Sequence, residues 1–189
     1  MDTFNNKQEL TDEELVKLAL ENQEQFFLIV NRYSAKLSLY IRRISKLSFE
    51  DAEDLLQDIF IKVYLNLNNF DVDLKFSSWI YRIAHNMVIS HYRRVSVRPQ
   101  GHAIDWDDNL LNGLASEIDT NHQVDCHLDR EKLVFALDKL DSKQREVLFL
   151  RYFEEKSYQE ISDIIKKPTG TVASLINKAK KELKHKFIN

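Results

Sequence analysis

Three glycines and two prolines in 189 residues leave this chain few places to turn sharply. Long stretches also lack the apolar–polar alternation that a half-buried strand requires, so the expected fold is all-α. Hydrophobic residues make up 43% of the chain and aromatic residues 11%, enough to fill more than one helical core. The single cysteine, Cys126, excludes an intrachain disulfide framework. No apolar run approaches membrane-spanning length or follows a basic start as a signal peptide would, so a cytoplasmic setting without membrane insertion is expected. A net charge of −3 argues against a protein that coats nucleic acid through bulk positive charge. Where the charges lie matters more than their sum.

Helix starts can be read from capping boxes, in which a serine or threonine is followed three residues later by an acid. Thr11 with Glu14, Ser48 with Asp51 and Ser157 with Glu160 have this spacing. Behind the first lies a helical pattern through Leu15, Leu18 and Ala19, then another through Phe26, Phe27, Val30, Leu37 and Ile41. Between Arg94 and Leu128 the periodicity fails at Pro99, Gly101 and Gly113. That stretch has no lysine or arginine from Pro99 to His127, but it carries Asp105, Asp107, Asp108, Glu117, Asp119 and Asp125. The expected organisation is two small helical domains, residues 7–97 and 128–189, joined by a flexible acidic linker over 98–127.

In "FSSWIYRIAHNMVISHYRR", Phe76 to Arg94, a helical winding puts Phe76, Ile80, Ile83 and Met87 on one apolar side. Lys75, Arg82, Asn86 and Arg93 then form a line of donors about five turns long on the other, flanked by Trp79 and Ile89. Such a line beside apolar groups suits a charged, flat-ringed ligand; the plainer alternative is a solvated helix face. The helix Asp51 to Leu67 turns Ala52, Leu55, Leu56, Ile59, Phe60, Val63 and Leu67 inward. Its far side collects Asp54, Gln57, Asp58, Ile61 and Leu65, and an acidic face with two exposed aliphatics suits a protein partner.

The stretch Ser157 to Lys186 has the order of a helix-turn-helix. Ser157 caps a short helix with Ile161, Ile164 and Ile165 inward, Pro168 ends it, and Thr169 can cap a second helix with Val172, Ile176, Ala179 and Leu183 inward. Thr171, Ser174, Asn177 and Lys178 point outward near its start, followed by Lys180, Lys181, Lys184 and Lys186. From Lys166 onward seven lysines stand against one acid, Glu182. Lysines supply phosphate contacts, and short polar side chains at a helix start reach base edges in the major groove. A generic helical hairpin with a solvated tail is the alternative.

No nucleophile with base and orienter, no glycine-rich phosphate loop and no paired ligand motif is present, which argues against an enzyme and against a bound cofactor. His102, His122, Cys126 and His127 match no established zinc spacing, so no metal is expected.

Taken in order, "DAEDLLQDIF", "NNFDVDLKFSSWIYRIAHN", "HYRR", an acidic linker and a helix-turn-helix, the chain resembles bacterial extracytoplasmic-function (ECF) sigma factors of the sigma-70 family over almost its whole length. The resemblance implies a promoter-specificity subunit of RNA polymerase, with regions two and four as its domains. The face of Asp54, Gln57, Asp58, Ile61 and Leu65 then looks like the surface that docks on the β′ clamp helices of core RNA polymerase. Phe70, Lys75, Trp79, Arg82, Asn86, Arg93 and Arg94 look like the reader of the −10 promoter element. Phe70 and Asn86 match positions that grip a flipped base, and the arginines track phosphates. Holding unstacked bases calls for such rings, amide and arginines together. Thr169, Thr171, Ser174, Asn177, Lys178, Lys180 and Lys181 look like the −35 contacts. Other partners implied are promoter DNA, the β flap and an anti-sigma factor. One departure stands out: "GTVASLINKAK" places Ala173 and Leu175 where the family commonly has basic residues, and lysines for later arginines. Lysine lacks the fork for bidentate guanine contacts, which shifts −35 reading toward phosphates and shape. A rival reading is a helix-turn-helix regulator acting on duplex DNA without polymerase, and a third is an RNA- or single-strand-binding module.

Overall fold

The computed structural model describes residues 10–45, 47–71, 74–94 and 126–188, with side chains described except at 92, 94, 126–131 and 186–188. These residues form helices and short turns, with no strand among them. Thr11 opens α1 (Asp12–Glu21): its hydroxyl accepts the Glu14 N–H at 3.2 Å while the Glu14 carboxylate accepts the Thr11 N–H at 2.7 Å. Two of the donors orphaned at a helix start are satisfied in this way. Asp12 then ties α1 to α2 (Phe26–Ser45), accepting Arg32 Nη1 at 3.0 Å and the Tyr33 hydroxyl at 2.5 Å. The long α2 buries Ile29, Tyr33, Leu37, Tyr40, Ile41 and Ile44, a spacing of three and four that keeps one face inward.

Ser48 caps α3 (Phe49–Asn66) by accepting the Asp51 N–H at 3.1 Å. The Asp51 carboxylate takes the Ser48 hydroxyl at 2.6 Å, so its bond is to the side chain where a full box would use the backbone. All seven residues read as an inward stripe, from Ala52 to Leu67, are buried, six of them on α3 and Leu67 in the 3-10 turn that follows it. Helix α4 (Phe76–Arg94) packs on α2 and α3 and completes the first bundle.

The second bundle starts with α5 (Cys126–Asp138) and α6 (Ser142–Leu148), the latter opened by a capping box between Asp141 and Gln144. A π turn, Phe149–Phe153, follows, marked by the Glu154 N–H bonded to the Phe149 carbonyl at 3.2 Å. Helix α7 (Tyr158–Ile165) carries the Ser157–Glu160 box at its head and ends on Lys166 at φ 54°, a left-handed C-cap. Helix α8 (Thr169–Ile188) closes the bundle.

Three expectations change. The inward side of α4 is Phe76, Trp79, Ile80, Tyr81, Ala84 and Val88, while Ile83 and Met87 are only half-buried. A single stripe was expected, but the helix is covered by α2 and α3 on one flank and by α7 on another. Phe27 is 51% exposed and does not belong to the α2 core face. Thr169 is the first residue of α8 rather than its cap: the Pro168 carbonyl accepts the Val172 N–H at 3.0 Å and so starts the helix. The acidic stretch 98–125, with Asp105, Asp107, Asp108, Glu117, Asp119, Asp125, His102 and His122, lies outside the described residues.

Candidate nucleic-acid interface

Helix α4 is seated by an aromatic cluster. Phe70 meets Phe76 edge-on at 5.4 Å and Trp79 at 5.3 Å, and Tyr33 meets Phe76 at 5.7 Å. Such offset ring pairs add to the burial energy of the rings themselves. Phe70 is 9% and Trp79 8% exposed, so both are floor rather than open stacking surfaces in this state. Lys75, Asn86 and Arg93 are exposed and Arg82 is half-buried, while the Arg94 side chain lies outside the described residues.

In the helix-turn-helix, Ile161, Ile164, Val172, Ile176, Ala179 and Leu183 are fully or almost fully buried, and Ile165 nearly so. The turn is pinned by Ser162, whose hydroxyl donates to the Lys167 carbonyl at 2.6 Å. Thr169, Thr171, Ser174, Asn177, Lys178 and Lys181 are exposed on α8. Lys180 is half-buried, with its Nζ 5.8 Å from the centre of the Tyr152 ring. Gly170 stands in open space: a Cβ there would meet nothing within 4 Å.

On α3, Asp54, Gln57 and Asp58 are exposed, as are Ile61 at 58% and Leu65 at 69%. Tyr64 lies beside them, half held by a perpendicular contact to Phe26 at 5.2 Å.

The two bundles touch through polar groups that no local pattern revealed. Glu146 of α6 is buried, accepts the Tyr40 hydroxyl of α2, and lies 2.6 Å from His85 Nδ1 of α4. Arg145 Nη1 donates to the Arg43 carbonyl at 3.2 Å, and Lys156 Nζ donates to the Ser77 hydroxyl at 3.0 Å. Lys75 Nζ lies 3.1 Å from Glu160 Oε1 at the head of α7. Burial raises the Glu154 carboxyl above its ordinary value, against the opposing influence of the Tyr81 hydroxyl, Lys36 and Lys156. Burial likewise lowers Lys156, although Glu160 and Glu154 pull the other way. Leu175 lines a groove of about 540 Å³ between the bundles together with Ile44, Val88 and Ile165.

Among the described residues no group of three or more histidine, cysteine or acidic side chains is placed to hold a metal, and no helix is long and apolar enough to cross a membrane. The Cys126 and His127 side chains lie outside the described residues. The family model for sigma-70 region 2 matches residues 29–97, and that for sigma-70 region 4 matches residues 130–183. The ECF RNA polymerase sigma factor SigW of Bacillus subtilis is 31% identical over 176 residues, 86% of this chain and 89% of that relative. The chain belongs to the ECF sigma factors of the sigma-70 family. The ECF sigma-E factor of Escherichia coli K12 is 30% identical to this ECF sigma factor over 95% of each chain. In three dimensions it resembles the sigma factor RpoE of Bartonella quintana, solved with the anti-sigma factor NepR, at a TM-score of 0.65 and 20% identity over 86% of this chain and 96% of that one. The region-2 match thus spans α2 to α4 with the donor line, and the region-4 match spans the helix-turn-helix of this ECF sigma factor.

Proposed function

We propose that this ECF sigma factor brings core RNA polymerase to promoters with its labour divided among three surfaces. The exposed face of α3, Asp54, Gln57, Asp58, Ile61 and Leu65, docks on the β′ clamp helices. Its acids steer the encounter and its two aliphatics supply the buried contact. The α4 line, Lys75, Arg82, Asn86 and Arg93, with Arg94 beyond it, takes the −10 strand. Asn86 bonds a base edge and the cations follow phosphates. Phe70 and Trp79 hold this line in place from below. The exposed polar start of α8 and Lys178, Lys180 and Lys181 hold −35 duplex in a major groove. Work in the cytoplasm, contact with the β flap and restraint by an anti-sigma factor belong to the same reading. The chain catalyses no step itself, and polymerase supplies the chemistry.

The observation that carries this division is the single line of donors on α4 set above a closed aromatic floor. Run-off transcription with core polymerase tests it. Asn86→Ala and Arg82→Ala should each lower open-complex formation by about tenfold or more, from loss of a bond worth about 1–3 kcal/mol, with core binding unchanged. Promoter opening at wild-type rates in both variants removes α4 from the −10 assignment. Duplex binding by the free chain that core polymerase does not improve would favour the regulator reading.

A further inference from the structure

We propose that the groove of about 540 Å³ is a binding site for a small amphipathic anion with a single alkyl chain, of the fatty-acid class. Its volume lies within the range of about 300–1,000 Å³ of sites that bury a small ligand. Ile44 of α2, Val88 and Ile89 of α4, Ile165 of α7 and Leu175 of α8 give it aliphatic walls, and among the described residues no phenylalanine, tyrosine or tryptophan lines it. A flat-ringed ligand such as a nucleobase would lack a stacking partner there, whereas an alkyl chain needs only apolar surface. Cations stand around these walls: Arg93, Lys143, Lys166 and Lys167, all exposed. None of the four is within ion-pairing distance of an acid among the described residues. The one acid in the lining, Glu146, already takes the Tyr40 hydroxyl and lies against His85. Four like charges around one apolar cleft repel each other, and an anionic head group relieves that repulsion.

One of these cations sits on a strained backbone. Lys166 ends α7 at φ 54°, in the left-handed region where glycine is the usual residue, with its N–H on the Ser162 carbonyl. Glycine would make the same turn without strain, so folding alone does not call for lysine there, and a lysine held at that position points to an anion. Asn86, Ser90 and Ser142 add neutral hydrogen-bonding groups to the lining. Asn86 and Arg93 also belong to the line assigned to the −10 strand, so an occupied groove and a held strand exclude each other. That consequence rests on the −10 assignment, whereas the site itself does not.

The test uses the full chain, with decanoate, laurate and myristate as probes below their micellar concentrations and binding read by calorimetry. Affinity should rise about fourfold per added methylene, as apolar burial requires, and decanol should bind more weakly than decanoate. Lys166→Gly combined with Lys143→Ala removes two head-group cations, the first without straining the turn, and should weaken laurate on the order of tenfold. Leu175→Asp, which sets a negative charge on the apolar wall, should weaken it at least as much. Thermal melts check that each variant folds, and if Leu175→Asp does not, the cation pair decides alone. No binding, affinities that ignore chain length, or equal affinity in the cation variant and wild type overturn the site. Inorganic phosphate held as tightly as laurate would make it a plain anion site, and phosphatidylglycerol vesicles held more tightly would make it a membrane contact; either result overturns the proposal. Displacement of a single-stranded −10 oligonucleotide by laurate checks the consequence. Laurate that binds as expected without displacing the strand leaves the site and sinks only the exclusion, unless Asn86→Ala and Arg82→Ala also leave promoter opening intact, in which case the −10 assignment falls instead.

Discussion

Glu160 Oε1 lies 3.1 Å from Lys75 Nζ, and Oε2 of the same carboxylate accepts the Ser157 N–H at 2.9 Å. The residue that starts the first helix of the helix-turn-helix thus also touches the first cation of the line on α4. Capping fixes where this acid sits, because the carboxylate is oriented by the backbone before it meets the lysine. Burial alone would raise its carboxyl, but the bonds from Ser157 and Lys75 outweigh that and hold it below the ordinary value.

Polymerase docking can be separated from folding at Asp58, which is exposed and outside the apolar stripe. Asp58→Lys should abolish retention on immobilised core polymerase while moving stability by no more than about 0.5 kcal/mol. Full retention on core refutes the docking role.

Duplex contacts should show in the salt dependence. Lys178 and Lys181 are exposed, whereas Lys180 leans on the Tyr152 ring and would report packing as well as charge. Lys178→Ala with Lys181→Ala should weaken −35 binding across all sequences and make the slope of log affinity against log salt shallower by about 2. Lost base preference at an unchanged slope would mean that these lysines read bases.

Gly170 sits in the first turn of α8 with open space around it and no left-handed backbone angle, so alanine fits there without strain. Gly170→Ala should stabilise the chain by up to about 1 kcal/mol through helix propensity. It should also weaken −35 binding, because the added methyl stands where backbone and phosphate come close. Tighter or equal DNA binding in the stabilised variant would show that the glycine serves no contact.

The Glu154 carboxyl, raised by burial, makes folding pH-dependent. The folded chain takes up its proton at higher pH than the unfolded chain, whose value is 4.5. Between that value and the raised one the folded state holds more protons, so this group's contribution to stability falls as pH rises through the window. Glu160 acts in the opposite sense, its contribution being present above 4.5 and lost as pH falls below it. Thermal melts from about pH 4 to about pH 8 should therefore show a shallower decline toward neutrality in Glu154→Gln, with the acid-side loss retained. A profile identical to wild type would place the titration elsewhere.

Much of this was legible because helices announce their faces locally. On α3 the inward seven and the outward five separate cleanly by spacing, and on α8 Val172, Ile176, Ala179 and Leu183 fall inward as the pattern requires. Spacing fails where one helix is covered twice. Trp79 looks like a border residue of a single stripe, and its burial comes from the rings of Phe70 and Phe76, which the stripe does not show. Glu146 carries no local signal, because its partners His85 and Tyr40 stand 61 and 106 residues away. Leu175 reads as a departure from a basic helix face, and the groove it lines with Ile44, Val88 and Ile165 is built by residues far apart in the chain.

The π turn at Phe149–Phe153, in which the Phe149 and Phe153 rings stack at 5.0 Å, also bears on how this lineage can change. A π turn is one surplus residue absorbed by a helix, and a natural insertion is its simplest origin. Excising one residue there would restore ordinary winding and swing everything downstream by roughly 100° about the helix axis. The helix-turn-helix would survive intact yet arrive facing another way, with Glu160 carried off Lys75. A single codon gained or lost at this spot thus re-aims the helix-turn-helix against α5 and α6, and the packing of α8 on those two helices has to be rebuilt with it.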